Sequence, residues 1–137
     1  MPVPTLGQPV PRKDITVKKN ADFSYALCII ERDELGEAVV VDTTGWLVWL
    51  QVREEPDASS PIIVDASTEA GADGTITVGI QGDTGEEINI DISIPKAATA
   101  AITYEGTAGY DLRVQYPSGQ VDYLAEGRAF IQPAFTW

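Results

Sequence analysis

The side chains able to do chemistry in this chain are nearly all carboxylates. There are 21 Asp and Glu against 9 Lys and Arg, a single cysteine (Cys28) and no histidine. Without histidine, acid–base catalysis near neutral pH and the usual zinc sites both lack their commonest group. A pair of carboxylates can hydrolyse a glycosidic bond, but Asp57, Asp65, Asp73, Asp83 and Asp91 fall in loops or at outward strand positions. Those are the ordinary places for solvated acids, and nothing sets one pair apart. Asp73, Asp83, Glu86 and Glu87 lie beside turns and offer the oxygens that calcium takes, yet their spacing fits no EF-hand loop. No phosphate-binding Gly-x-x-x-x-Gly-Lys loop, Cys-x-x-Cys pair or Gly-x-Ser-x-Gly elbow occurs. Cys28 lies within an apolar run and reads as a small buried residue rather than a reactive thiol. The expectation is a chain with no catalytic residue, no bound metal and no cofactor.

Aromatic rings are the remaining candidates for recognition. Trp46, Trp49, Tyr104 and Trp137 could stack on a sugar if a flat ring is exposed. Packing in a core or at an interface is the commoner use of such rings, and Trp46 reads as core. Trp46, Val48, Leu50 and Val52 share one face of a strand, while Leu47 and Trp49 make its other face apolar as well. A strand apolar on both sides is central in its sheet or has one face against a partner.

The formal charge is -12. Such a chain lacks the clustered cations that capture nucleic acid or anionic membranes. No run approaches the roughly 20 apolar residues that span a bilayer as a helix. The segment Met1 to Pro11 carries Pro2, Pro4, Pro9 and Pro11 and no apolar stretch, so it reads as an extended arm rather than a secretory signal.

Beyond the arm, two-residue periodicity dominates. Phe23, Tyr25, Leu27 and Ile29 alternate with small residues, and Glu34 to Glu37 with Gly36 reads as a hairpin loop before Val39 to Val41. Ile76, Val78 and Ile80 form one alternating run, and Ile88, Ile90, Ile92 and Ile94 another. Tyr110, Leu112, Val114 and Tyr116 face one way and Asp111, Arg113 and Gln115 the other; Pro117 to Gln120 turns the chain back into Val121, Tyr123 and Leu124, with Gly127 as a break or bulge. Pro95 to Ile102 is the one helical candidate, with Pro95 at its first position. Eight or nine short strands with one short helix predict an all-β, immunoglobulin-like antiparallel β-sandwich. The domain limits are 1–12 for the arm and 13–137 for the sandwich.

Several of these segments together resemble a known family. They are Gly109-Tyr110-Asp111-Leu112-Arg113-Val114, the Ser118-Gly119 turn, Val121-Asp122-Tyr123-Leu124 and Glu126-Gly127-Arg128-Ala129-Phe130-Ile131. With Leu35-Gly36-Glu37 and Thr44-Gly45-Trp46 upstream, they are similar to the β-sandwiches of bacteriophage minor tail and baseplate proteins, the LtfC-like group of actinobacteriophage tails and its upper-baseplate and tail-fibre relatives. The resemblance runs from Asp14 to Gln132. It implies an immunoglobulin-like sandwich without catalysis, located in the virion after assembly in the bacterial host cytoplasm. The partners it implies are other tail proteins and copies of the same chain. A carbohydrate-binding module for the host surface is the alternative function. The residues expected to meet a partner are Trp49, Leu47, Pro2, Pro4 and Trp137.

Overall fold

A computed structural model describes residues 13–32, 34–55, 59–79 and 89–133. Along the chain run β1 (Ile15–Lys18), β2 (Phe23–Leu27), β3 (Ile30–Arg32), β4 (Ala38–Val40), β5 (Leu47–Arg53), β6 (Ile62–Ser67), β7 (Gly74–Val78), β8 (Ile90–Ile94), α1 (Lys96–Ala100), β9 (Gly106–Gln115) and β10 (Val121–Gln132). The expected all-β class is what the chain adopts. Eight strands form one hydrogen-bonded order, β1-β10-β9-β5-β6-β7-β8-β2, and β3 and β4 form a separate hairpin.

That eight-strand ribbon folds over on itself. The inward residues of β10-β9-β5-β6 and of β7-β8-β2 belong to a single buried cluster, in which Leu50, Ile90, Ile92, Ile94 and Leu112 have no exposed surface. Full burial of each such side chain stabilises the fold by about 1.5–3 kcal/mol. In the lettering of the variable-type immunoglobulin sandwich, β2, β8 and β7 stand where B, E and D do. Strands β5, β6, β9 and β10 stand where C, C′, F and G do.

Two pairings depart from the antiparallel expectation. Strand β1 runs parallel to β10, and β6 runs parallel to β7 through Ala66↔Gly74 and Ser67↔Thr75. The second contact is the fold line between the layers. A Cβ on Gly74 would sit 2.6 Å from Ile94 Cγ1 and 2.6 Å from the Ser93 carbonyl, so only glycine lets the strands meet there.

At the opposite side, the chain changes layer in the Lys19–Asp22 turn. Asn20 takes φ 61 there, a left-handed conformation that asparagine tolerates better than most residues. Helix α1 holds this turn in place. The buried Thr99 hydroxyl donates to the Ala21 carbonyl (2.7 Å) and accepts from the Ala21 N–H (3.1 Å), while the Asp22 carboxylate accepts from the Lys96 N–H at 2.7 Å. A five-residue helix is too short to stand alone and depends on these contacts. Pro95 occupies the position just before the first helical residue, one place earlier than the sequence suggests.

Strand β1 is seated by Lys13, whose N–H donates to the Glu126 carbonyl at 2.9 Å and whose carbonyl accepts from the Tyr110 hydroxyl. Burial, with the nearby Tyr25 and Asp14, pushes the Tyr110 hydroxyl up to about 12. Gly127 makes this approach possible, since a Cβ there would lie 2.3 Å from the Lys13 carbonyl oxygen. Gly127 is therefore a close-approach glycine. The register shift in β10 lies earlier, between Tyr123 and Ala125.

The β3–β4 hairpin is held at its neck by one buried side chain. Asn89 Oδ1 accepts from the Ile29 N–H at 2.8 Å, and Asn89 Nδ2 donates to the carbonyls of Ile29 (2.8 Å) and Val41 (2.9 Å). The Thr43 hydroxyl donates to the Asn89 carbonyl at 2.7 Å and accepts from the Gly79 N–H at 2.8 Å. Asn89→Leu removes a set of bonds and strands their backbone partners, so it is expected to lower stability by about 3 kcal/mol. Urea denaturation measures this; a loss below about 1 kcal/mol would show the neck to be solvated instead.

Candidate functional site

The outer face of the β10-β9-β5-β6 layer collects the side chains singled out for partner contact. Along β5, Val48, Leu50 and Val52 turn inward, leaving Leu47, Trp49, Gln51 and Arg53 half-buried on the outside. Strand β9 alternates the same way, with Asp111, Arg113 and Gln115 outward. The pairings set these residues in rows across the strands. Leu47 lies beside Gln115, and Gln115 beside Val121; Trp49 lies beside Arg113, and Arg113 beside Tyr123. The next row runs from Glu126 through Asp111 and Gln51 to Asp65, and the row after it pairs Arg128, Gly109 and Arg53.

The apolar end of this face depends on the shift in β10. Ala125 pairs with Leu112 and faces inward. With unbroken alternation Tyr123 and Val121 would face inward too. The extra residue at Leu124 reverses the phase, burying Leu124 and Ala125 together and leaving Val121 50% and Tyr123 43% exposed. Leu47, Trp49, Val121 and Tyr123 thereby form one apolar end of the layer. The sequence signal for this is the run Tyr123-Leu124-Ala125, which interrupts alternation where no glycine marks a bulge. Sequence reasoning placed the bulge at Gly127 and missed Val121 and Tyr123 as site residues.

Charge on this face is balanced, in contrast to the chain as a whole. Arg53, Arg113 and Arg128 stand among Asp65, Asp111 and Glu126. Arg53 donates to the Ser60 carbonyl (2.6 Å) and to Gln51 Oε1 (2.9 Å). Burial raises the Asp111 carboxyl above its ordinary 3.8; Arg113 and Arg53 oppose the shift, and Glu126 adds to it. Asp65 and Asp73 exchange bonds, each carboxylate accepting the other's N–H (3.1 and 2.9 Å). Asp73 is also raised, first by its partial burial.

The other sequence candidates fall differently. Trp46 is buried and meets Tyr116 edge-on, with ring centroids 4.9 Å apart. Trp49 carries the Arg113 guanidinium over its ring at 5.2 Å, so one of the two flat faces a sugar would use is taken. Tyr104 is half-buried, its hydroxyl donating to the Thr107 carbonyl at 2.8 Å. Pro2, Pro4 and Trp137 lie outside the described residues, as do Asp57, Asp83, Glu86 and Glu87. Among the described residues no group of three or more Cys, Asp and Glu could hold a metal ion, and none of the helices is long and apolar enough to cross a membrane. Cys28 corrects the sequence reading. It is exposed, because it follows β2 on the same outward side as Ser24 and Ala26.

No family model matches the sequence, and no curated protein does. Solved structures similar to the chain include murine CRIg, at 12% identity and TM-score 0.32, covering 89% of this chain and 92% of that one. A VGSC β subunit studied for multimeric cell-adhesive interactions is 14% identical with TM-score 0.35, covering 95% and 98%. AggA, the major subunit of aggregative adherence fimbriae type I from Escherichia coli, is 12% identical with TM-score 0.33, covering 90% and 91%. At these values the likenesses carry nothing about what this chain does.

The Asp111 shift yields a pH prediction. A carboxyl raised in the folded state binds its proton more tightly there than in the unfolded chain. Its contribution to stability therefore falls as pH rises from the ordinary value through the raised one, and stays unfavourable above it. Asp111→Asn is expected to raise the melting temperature at neutral pH by about 2 °C and to have no such effect near pH 3. Thermal melts at the two pH values test this; an equal change at both would assign the effect to packing.

Proposed function

We propose that the domain is a non-enzymatic structural subunit of a bacteriophage tail, in its tip or baseplate, acting by binding neighbouring tail proteins. The observation that carries the reading is the outer face of the β10-β9-β5-β6 layer. There Leu47, Trp49, Val121 and Tyr123 adjoin charges of both signs in near balance. An exposed face with apolar and aromatic side chains and compensated charge is suited to burial against another protein. The sequence resemblance between Asp14 and Gln132 supports the tail as the setting. A glycan-binding role has less support, because Arg113 takes one face of the Trp49 ring.

The chain should be found by mass spectrometry in purified tailed particles from the producing host. Its absence from particles that form normally would overturn the tail assignment. Trp49→Ala is expected to leave the isolated domain folded, with a stability loss under about 2 kcal/mol, and to weaken its incorporation into particles at least about tenfold. A variant that unfolds would place Trp49 with the core. Binding of the wild-type chain to a bacterial-surface glycan array would favour the carbohydrate reading.

A further inference from the structure

A second surface pairs two features that belong to different sheets: the open edge of β1 and the β3–β4 hairpin. Strand β1 ends the main sheet and has β10 as its neighbour on one side. The Lys13 and Lys19 N–H groups donate to the β10 carbonyls of Glu126 (2.9 Å) and Gln132 (3.0 Å). Successive residues of a strand turn their backbone groups to opposite sides. Thr16 and Lys18 therefore direct theirs to the open edge, and their side chains are exposed. This strand and its flanks carry Lys13, Lys18 and Lys19 against Asp14, and Lys19 is paired with Glu105 at 3.2 Å, so Lys13 and Lys18 carry the edge's excess positive charge. Lysines on a sheet edge discourage pairing with another edge of the same kind.

The hairpin has the opposite character. It carries Glu31, Glu34 and Glu37 against Arg32. It also exposes apolar side chains, with Ile30 at 38%, Val39 at 42% and Leu35 at 85%. Its two strands pair with each other and stand apart from the eight-strand order. The buried Asn89 fixes the hairpin's neck, so it projects in a set direction.

We propose that the hairpin of one copy adds to the open β1 edge of a second copy, head to tail. The partner is this same chain because it supplies both complementary parts: an acidic strand pair and a basic edge with free backbone groups. In a molecule of charge -12, two copies repel unless the contact joins locally opposite charges. Hairpin-to-hairpin and edge-to-edge contacts both oppose like charges, so the contact has one direction. A head-to-tail contact of this kind builds a ring or a filament. The proposal rests on the reading of the domain as an assembly subunit.

Sedimentation velocity of the full chain, from micromolar to about millimolar in low and high salt, tests it. Association at low salt is expected. Lys18→Glu and Glu34→Lys are each expected to weaken it at least about tenfold, and the double variant to restore it. Thr16→Pro removes an edge N–H that β10 does not use, so it is expected to abolish association while keeping the wild-type circular dichroism and melting temperature. Should Thr16→Pro unfold the domain, the charge exchange decides alone. A chain that stays monomeric at low salt, or associates regardless of Thr16→Pro and the charge reversals, would overturn the head-to-tail contact. Association lost only in Trp49→Ala would also overturn it while leaving assembly through the outer face standing, and a monomer leaves the particle experiment to decide the assembly reading.

Discussion

Among the buried polar side chains of this sandwich, Asn89 and Thr43 meet at one junction, and that junction orders the rest. Both residues are buried, at 0% and 1% exposure, and their side chains join backbone groups of Ile29, Val41, Gly79 and Asn89 itself. The Asn89 N–H also donates to the Leu27 carbonyl at 3.0 Å. Four stretches of chain therefore converge on two polar side chains, with no buried side-chain N or O left without a partner among the described residues. In a dry interior an unmet backbone group costs more than a made bond contributes, so this arrangement is close to all-or-none. It sets where β8 begins against β2, and hence which isoleucines face the core. It also lets the chain leave the sandwich at Ile29 and return at Val41, with β3 and β4 outside.

The same logic of satisfied ends recurs at the other side of the molecule, where Thr99 and Asp22 tie α1 to the turn between β1 and β2. With both ends pinned by polar contacts, the isoleucine-rich core needs no disulfide. The outer surface is then left to charge. An excess of carboxylates keeps copies apart in solution, so contacts must form where that excess is locally cancelled or reversed. The outer face of the β10-β9-β5-β6 layer is balanced, and the β1 edge is basic.

Much of this was legible in the residues. The alternation of Ile90, Ile92 and Ile94, and that of Tyr110, Leu112 and Val114, predicted strands whose inward positions are the ones buried. Trp46 as core and the two-sided apolar character of β5 were also readable, because a strand's side-chain period needs no knowledge of its neighbours. Cys28 was misjudged for a related reason. Its run is apolar, but its phase in β2 is the outward one, and phase outweighs local hydropathy. The outward turn of Val121 and Tyr123 was missed because a bulge without glycine leaves only a slip in pattern. Gly127 drew attention as the more conspicuous residue, although its purpose is to let the Lys13 backbone approach.

By itself, the sequence determined the class of the domain, the inward face of most strands and the scarcity of groups suited to catalysis. Those properties are local: they follow from residue type and a two-residue repeat. The tertiary structure alone decided which strands are neighbours, that β1 and β6 run parallel to their partners β10 and β7, and that Asn89 reaches Ile29 across 60 residues of chain. Pairing order is a non-local choice among many strands of similar pattern. It is settled by which arrangement buries the isoleucines while meeting every polar group they would otherwise leave dry.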